Sequence, residues 1–539
     1  MSLPRDHLRL WSTCGLLLCA STRVVAQNVD TGVITTDESV LLEDPELAAR
    51  SDGPHADEDT TSQEHPSVVI QPTYTSEGHM RLHSRFGLDL YHADPREETW
   101  EGTNLAIFET SVRRSANLRF AAGVRVRFHI ASFVHDAPDA KAQRLQLDVS
   151  PTAAYVDTKL AEGAHLQLGY QSVHMGSFDL ISAADVLSVA DLRNGPATMP
   201  EAAEVAQLAL RFDYAPTTSL SLRAIYVPFF TPHIVSIAEG DYAIFRRNQT
   251  QVASDIAMLG VAPSSLLENL SRTDRERLAE VGYAVFSPET DLRSQQGAIR
   301  LTAHGATGEL SLSVATALEH VPAFYFTPEA IDAIREPRNR EVAERLEMVS
   351  RPVQVHYGRF ALLAVDASID VSPLSIGVET AYMLNRTLYT LGSGAYPGTL
   401  ALPDTTDVLQ AGLRIEYVRG PELAAVIETF GVYALSEPKD PTRGWVGLEA
   451  GRYLAGLAAG GTWTPGFGLR GDLAVLALTG FTWVIMPRIA YTLFEDFEVE
   501  VGMIVVEGPP PPANVTPHIG LATLYDTTDQ VFVGLVYDI

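Results

Sequence analysis

Residues 117–130 alternate between apolar and polar positions with almost no exception. One face of this stretch carries only apolar side chains, at Leu118, Phe120, Ala122, Val124, Val126, Phe128 and Ile130. The other face carries Arg119, Arg125 and Arg127, followed by His129. A period of two residues predicts a β-strand whose two faces meet different surroundings. Recurrence of this pattern along the chain predicts a membrane-spanning β-barrel, with lipid on the apolar side and water on the other.

Alternating stretches recur from residue 78 onwards, mostly as hairpins with short, turn-rich connections. The predicted strands are 78–92, 104–115, 117–133, 142–158, 164–175, 204–215, 218–229, 295–304, 309–320, 353–370, 374–386, 407–418 and 422–434. The longer connections between hairpins are 93–103, 134–141, 176–203, 230–294, 321–352, 387–406 and 435–444. Short turns at one end and long loops at the other are typical of outer-membrane barrels, whose turns lie in the periplasm.

The C-terminal third has a weaker pattern. Residues 445–480 are rich in Gly and Ala and show no clear strand limits, whereas 481–494, 497–506, 515–525 and 530–539 are predicted as strands. The candidates add up to an odd number, although single-chain bacterial barrels have an even number of strands. An error is therefore expected between 445 and 494. The predicted fold is an all-β transmembrane antiparallel β-barrel of roughly 16–18 strands with long extracellular loops.

The first 26 residues have the features of a secretory signal. Arg5 and Arg9 precede a short apolar region at 16–18, and small residues end at Ala26, where cleavage is predicted. A lipoprotein signal ending at Cys19 is the alternative, but the large Leu18 before it argues against lipidation.

Residues 27–76 are predicted as an acidic, disordered periplasmic tail that precedes the barrel at 77–539. The chain has a net charge of −28, and residues 28–66 contain eleven acids and one base, hence −10 of that total. This segment has no aromatic residue and little periodicity, which favours disorder. An interaction arm is the alternative. The acidic balance disfavours nucleic acid as a partner, because phosphates would be repelled.

Residues 168–179, Leu-Gly-Tyr-Gln-Ser-Val-His-Met-Gly-Ser-Phe-Asp, are followed by Asp-Val-Leu at 185–187 and Asp-Leu-Arg at 191–193. This region resembles a poorly characterised group of Gram-negative outer-membrane porin-like proteins. That group carries a Gly-Arg-Gln, a Trp-Gly, an Asp and an Asp-Val-Leu-Asn-Pro-x-Asp run. Here Tyr170 replaces the arginine, Met175 replaces the tryptophan, and Ser-Val at 188–189 replaces Asn-Pro. The resemblance implies a porin-like barrel in the outer membrane and leaves the solute open.

A pore needs polar residues on its inner face and a narrow point. The predicted pore-lining residues are Arg119, Arg125, Arg127 and Arg144 on the strands and Asp179, Asp185 and Asp191 in the loop 176–203. By analogy with general porins, a loop at this position folds inward. Opposed acids and bases across a narrow water path create a transverse field that orients charged solutes. The alternative is that these side chains simply face water.

The sequence therefore predicts an outer-membrane channel for passive diffusion of small polar or charged solutes. The alternative is a non-transporting barrel that acts in adhesion or envelope assembly through its long loops. No catalytic residue, metal ligand or cofactor is predicted, because the chain has no Gly-x-Ser-x-Gly, His-Glu-x-x-His or phosphate-loop motif. The expected partners are outer-membrane lipids and lipopolysaccharide, the outer-membrane insertion machinery and small solutes, with a homo-oligomer left open.

Overall fold

The computed structural model describes residues 75–90, 98–133, 143–178, 181–191, 203–234, 292–321, 323–329, 332, 341, 344–345, 353–392, 402–445, 452–479, 482–507 and 529–539. Within these ranges the chain forms 23 strands. They are β1 (Thr75–Asp89), β2 (Glu98–Ser115), β3 (Leu118–Phe133), β4 (Gln143–Ala161), β5 (Ala164–Gln171), β6 (Val189–Ala190), β7 (Glu204–Val205), β8 (Gln207–Thr217), β9 (Leu220–Val227), β10 (Gln296–His304), β11 (Gly308–Leu318), β12 (Ala323–Phe326), β13 (Val353–His356), β14 (Arg359–Val371), β15 (Leu374–Gly392), β16 (Leu402–Arg419), β17 (Leu423–Ala434), β18 (Arg443–Trp445), β19 (Tyr453–Gly466), β20 (Leu469–Leu478), β21 (Thr482–Phe494), β22 (Phe497–Glu507) and β23 (Gln530–Asp538).

Eighteen of these strands close into one antiparallel barrel. Consecutive strands pair in chain order around the sheet, apart from the short strands β6, β7, β12, β13 and β18, which lie in the connections. The last strand returns to the first, with Phe86 opposite Val533 and Leu82 opposite Tyr537. Closure leaves the barrel without an edge strand, which is the condition for a sheet to span a membrane. The predicted antiparallel barrel is confirmed.

The outer face of the barrel is apolar. On β3, Phe120 and Val124 are 41% and 37% exposed, whereas Arg125 and Arg127 on the alternate positions are 3% and 5% exposed. Aromatic side chains are exposed near both ends of the strands, at Phe86, Tyr226, Tyr433 and Tyr453 on the long-loop side and at Phe120, Trp463, Phe467, Tyr491 and Tyr537 on the short-turn side. Aromatic girdles flanking an apolar band mark the two interfaces of a membrane.

The strand limits depart from the predicted ones at both ends of the chain. The first strand begins at Thr75 and ends at Asp89, rather than spanning 78–92. The unassigned stretch 445–480 contains two barrel strands, β19 and β20. The long-loop half of their inner faces is apolar, with Leu454, Ala458, Leu476 and Leu478 buried, and polar residues such as Thr462 and Asp472 occur only in the short-turn half, so the period-two signal was weakened there. The predicted strand 515–525, like the predicted signal and nearly all of the tail, lies outside the described residues.

The predicted hairpin turns lie close to their predicted positions, and at two of these turns a glycine adopts the left-handed region. Gly163 has φ 69° in the turn between β4 and β5, and Gly420 has φ 57° between β16 and β17. At Gly163 a side chain is also excluded sterically, because a Cβ would lie 2.2 Å from the carbonyl oxygen of Ala215.

The interior of the barrel contains an apolar cluster that the alternating pattern did not predict. It joins inward residues of β8–β11 and β14–β16 to a chain segment that follows β5, and its fully buried members include Leu187, Val227, Ala364, Met383 and Val408. Strand β14 shows how this arises, because Leu362 points inward at 4% exposure while Leu363 points outward at 48%. A strand that is apolar on both faces has a packed interior on one side and lipid on the other.

Candidate functional site

The connection from β5 folds back into the barrel instead of extending away from it. We call its described part, residues 172–178 and 181–191, the inner segment. Glu379 of β15 accepts hydrogen bonds from the backbone N–H of Ala184 at 2.8 Å and from the Ser182 hydroxyl at 3.0 Å. Glu428 of β17 accepts one from the backbone N–H of Ile181 at 2.8 Å. Two buried carboxylates of the far wall therefore hold the inner segment across the barrel.

Two arginines of the wall complete this attachment. Arg414 of β16 donates to the carbonyl oxygen of Ser177 at 3.1 Å, and Arg300 of β10 donates to that of Met175. Arg300 is held in turn by Asp366 at 2.7 Å. Most of these wall side chains bind backbone atoms of the inner segment, so these particular bonds do not depend on its side chains.

Phe178 is seated over two wall glycines. A Cβ at Gly377 would lie 3.2 Å from the Phe178 ring, and one at Gly412 would lie 3.0 Å from it. Any larger residue at Gly412 would have to displace the ring. The two glycines thus make room for the aromatic side chain where the inner segment meets β15 and β16.

The end of the inner segment returns to the wall that carries the arginines of β3. Arg127 Nη1 lies 3.3 Å from Asp191 Oδ2, and both side chains are buried. Arg125 donates to the carbonyl oxygen of Glu204 at 2.8 Å and to the Ser150 hydroxyl at 3.2 Å. Arg127 and Asp191, which were predicted on opposite sides of a narrow water path, are therefore in direct contact instead.

The other predicted pore-lining residues are more scattered. Arg119 is half-buried and lies eight residues along β3 from Arg127, a distance of about 26 Å, so it belongs to a different level of the barrel. Arg144 is opposite Ala131 in the strand register, but its side chain lies outside the described residues, as does all of Asp179. Asp185 belongs to the inner segment, where it accepts from the backbone N–H of Met175 at 3.1 Å.

His174 lies between two carboxylates, Asp185 at 3.5 Å and Glu204 at 3.1 Å. Burial disfavours its charged form, but the hydrogen bonds and charges of Asp185 and Glu204 outweigh burial and raise the pKa of His174 to about 9. His174 therefore carries a positive charge at neutral pH and joins the start of the inner segment to the approach to β8.

A pair of stacked histidines links the inner segment to the connections on the long-loop side of the barrel. The rings of His233 and His320 are stacked with centroids 4.6 Å apart. The two ring nitrogens of His320 each lie 3.1 Å from a carbonyl oxygen, of Thr231 and of Val186, and His233 Nδ1 accepts from the backbone N–H of Ala190 at 3.0 Å. Burial lowers the pKa of His320. Neutral His320 has a single N–H and donates to only one of the two carbonyl oxygens at a time. The stacked pair nevertheless places the inner segment against the stretches that follow β9 and β11.

The sequence pattern missed the two wall carboxylates that hold the inner segment. Glu379 and Glu428 lie in the alternating strands β15 and β17, where an inward acid looks like any other lumen residue. It also missed Glu500 of β22, which is fully buried between His83 at 3.0 Å and Arg488 at 3.0 Å. The available signal was an isolated acid in an otherwise apolar or small-residue inner face, as in Val-Glu-Thr-Ala at 378–381.

Within the described ranges, no group of three or more His, Cys, Asp or Glu side chains is arranged to hold a metal ion. In the same part of the chain, no helix is both long enough and apolar enough to cross a membrane.

No protein-family model matches the chain, and no curated protein matches it either. Among solved structures, the chain is similar to Salmonella typhi OmpF in a complex with daunomycin, at 9% identity over 86% of this chain and 97% of that chain, with a TM-score of 0.36. It is also similar to Pseudomonas aeruginosa OccK1, at 8% identity over 86% and 98% of the two chains and a TM-score of 0.42. A third is the trimer form of OmpT, an outer membrane protein of Vibrio cholerae, at 9% identity over 86% and 99% and a TM-score of 0.34. Because the similarity to these structures is low, the fold is defined by the strand pairing of this chain and not by the comparison.

The closed 18-strand ladder, its apolar outer band and its aromatic girdles define an outer-membrane β-barrel. The predicted transmembrane β-barrel fold and its location in the outer membrane are confirmed. The outer face of the barrel is therefore in contact with lipid.

Proposed function

We propose that this protein is a channel for passive diffusion of small polar or charged solutes across the outer membrane. The observation that carries the proposal is the attachment of the inner segment. It is bound to Glu379 and Glu428 on one wall and, through Asp191, to Arg127 on another. A segment fixed across the inside of a barrel narrows the lumen at one level and gives it a defined lining, which is what a selective pore requires.

The charges near that level support polar or charged solutes. Arg125, Arg127 and His174 supply positive charge on one side, and Asp185, Asp191 and Glu204 supply negative charge in contact with them. Fixed charges in a narrow lumen raise or lower the local concentration of ions of each sign. Passive diffusion needs no chemical step, and we propose no catalytic role and no cofactor.

The apolar cluster inside the barrel favours a second candidate, a non-transporting barrel that acts in adhesion or envelope assembly. Packing between the inner segment and β8–β16 occupies lumen volume that a wide pore would leave to water. The loops 230–294 and 321–352, on which that role would depend, lie largely outside the described residues. Binding of lipopolysaccharide, of the insertion machinery and of further copies of the chain also stays a prediction.

Reconstitution into a planar bilayer tests the two candidates against each other. A channel gives stepwise conductance increments and a reversal potential in a salt gradient. A barrel that inserts, shown by a heat-modifiable band on a denaturing gel from the same preparation, yet gives no increments would contradict the channel and favour the second candidate.

A further inference from the structure

A small cavity lies beside the inner segment on the long-loop side of the barrel. Its floor is the inner segment at Ser182 and Ser188, and its wall includes Phe360, Met383 and Gln410. The cavity is lined by both polar groups and apolar side chains. Two of the polar groups, Gln410 and Arg386, have hydrogen-bonding capacity that the described protein does not use.

Gln410 is the first of these. It lies on β16 opposite Ala381 of β15, and it is only 2% exposed. No group in the described part of the chain forms a hydrogen bond with its amide, which faces the cavity. Leaving a buried amide unsatisfied costs free energy, so buried amides in folded proteins are paired with a protein group, a water molecule or a ligand.

Arg386 is the second. Its Nε donates to Glu319 Oε1 at 3.1 Å, and its Nη1 faces the sulfur of Met383 at 2.9 Å. A thioether is a weak acceptor, and a guanidinium has five N–H donors. Its guanidinium also lies over the Phe360 ring, with Cζ 5.6 Å from the ring centroid. Among the described residues no other oxygen or nitrogen acceptor contacts Arg386, so several of its N–H donors are left for an oxygen atom in the cavity.

The backbone is shaped so that Arg386 lies on the inner face. Met383 is opposite Val408 and Arg386 is opposite Thr406, so β15 carries one residue more than β16 between these pairs. The extra residue forms a bulge that contains Asn385 at φ 60°, a left-handed conformation that is uncommon outside glycine. Without the bulge, the period of two would turn Arg386 to the lipid face. Bulges that redirect one side chain are frequent beside functional sites.

The cavity is close to electrically neutral. The charge of Arg386 is matched by Glu319, and that of Asp185 by His174. The rest of the lining is uncharged: it combines the polar groups of Ser182, Ser188 and Gln410 and the stacked rings of His233 and His320 with apolar side chains, among them Phe360 and Met383 at 4% and 1% exposure. An ion would lose its hydration without a free opposite charge to replace it, whereas an uncharged group would satisfy the free donors at lower desolvation cost.

We propose that this cavity is a solute subsite of the channel, specific for a small uncharged molecule with a carbonyl or hydroxyl oxygen on one side and a short aliphatic body. The oxygen accepts hydrogen bonds from Arg386 and from the Gln410 amide, and the aliphatic body lies against Phe360 and Met383. The subsite rests on the proposed channel function, because a bound solute contributes to transport only if the barrel conducts. The solute must also bind weakly enough to leave towards the periplasm.

Propionamide and propionate are a matched pair of probes, since they share a shape and differ in charge. We expect saturation-transfer NMR on the purified, detergent-solubilised barrel to show saturable binding of propionamide, with a dissociation constant on the order of millimolar for so few atoms. Propionate should bind at least tenfold more weakly. Equal or tighter binding of propionate would overturn the uncharged class.

Gln410→Leu and Arg386→Gln should each weaken propionamide binding at least tenfold. Gln167→Leu is the matched control, because Gln167 also lies on the inner face but donates to Asp157 in the short-turn half. Unchanged binding in both cavity variants, provided that each shows the heat-modifiable band, would overturn the subsite.

Bilayer conductance separates the two proposals. Propionamide binding without conductance removes the channel and leaves a binding cavity with no part in transport, whereas conductance without propionamide binding removes only the subsite.

Discussion

The backbone N–H of Ala184 donates to Oε1 of Glu379 over 2.8 Å, although the two residues are 195 positions apart in the chain. This bond joins the inner segment to strand β15. Because the donor is a backbone group, the bond does not need a particular side chain at position 184, whereas position 379 requires a long acidic or amide side chain. Burial of Ala184 in the apolar cluster limits that position to a small residue. The position of the inner segment is therefore specified jointly by the wall side chains and by the packing of its own buried residues.

Removing a wall carboxylate should loosen the inner segment without unfolding the barrel. Hydrogen bonds to charged groups contribute about 1.5–3 kcal/mol each, so Glu379→Ala and Glu428→Ala should both increase cleavage within 172–191 by proteinase K in detergent. In a planar bilayer the same variants should give noisier current with additional conductance levels. Glu309→Ala is the control, since Glu309 lies on β11 near His304. Wild-type cleavage and wild-type current in both variants would show that the carboxylates do not hold the segment.

The two faces of β3 should respond in opposite ways to charge. Val124→Arg places a cation on the lipid face and should cost about 2–4 kcal/mol near the bilayer midplane, which reduces the yield of folded barrel. Arg125→Ala should preserve the heat-modifiable band, although it removes the contacts to Ser150 and Glu204. The measurement is the fraction of unboiled protein that migrates as the folded form. Equal loss in the two variants would argue against a membrane-spanning β3.

Arg127 and Asp191 form a pair, so neutralising one should expose the charge of the other. Arg127→Gln should shift the reversal potential towards cation selectivity, and Asp191→Asn should shift it towards anion selectivity. The double variant should return close to the wild-type value, because the pair carries no net charge. Identical reversal potentials for all four proteins in one salt gradient would place the selectivity-determining charges elsewhere.

The His174 contact should weaken at alkaline pH. Its pKa is raised in the folded state to about 9 from an ordinary value of 6.5. The stabilisation by the imidazolium is thus complete below about pH 6.5 and is lost as the pH rises through about 9. Proteinase K should cleave the inner segment faster at pH 10 than at pH 7, after correction for the protease's own pH profile. His174→Gln should remove most of this difference, and an unchanged difference in that variant would assign it to other groups.

The acidic tail predicted at 27–76 should be dispensable for the barrel. It has too few apolar side chains to offset the conformational entropy of ordering it. Deletion of residues 28–66 should leave the heat-modifiable band and the location in the outer membrane intact. Loss of the folded band after this deletion would mean that the tail is part of the folded structure.

The sequence by itself determined the barrel, because lipid and water act on alternate residues of every spanning strand. The run of Phe120, Val124 and Arg127 on β3 shows both faces within eight positions, and short turns such as that at Gly163 separate the strands. The lengths of the connections also predicted the orientation of the barrel, with its short turns in the periplasm and its long loops outside the cell. The alternating pattern failed at β19 and β20, where the inner face of the long-loop half carries Leu, Ala and Gly, so that the period of two disappears there.

Only the tertiary structure decided what lies inside the barrel. The loop after β5 was predicted to fold inward by analogy, but its partners Glu379 and Glu428 are separated from it by about two hundred residues or more of chain. Closing the sheet brings those strands opposite the loop, and no local pattern encodes that distance. The bulge before Arg386 is decided in the same way, because one unpaired residue in β15 changes which face the arginine occupies only once β15 is paired with β16.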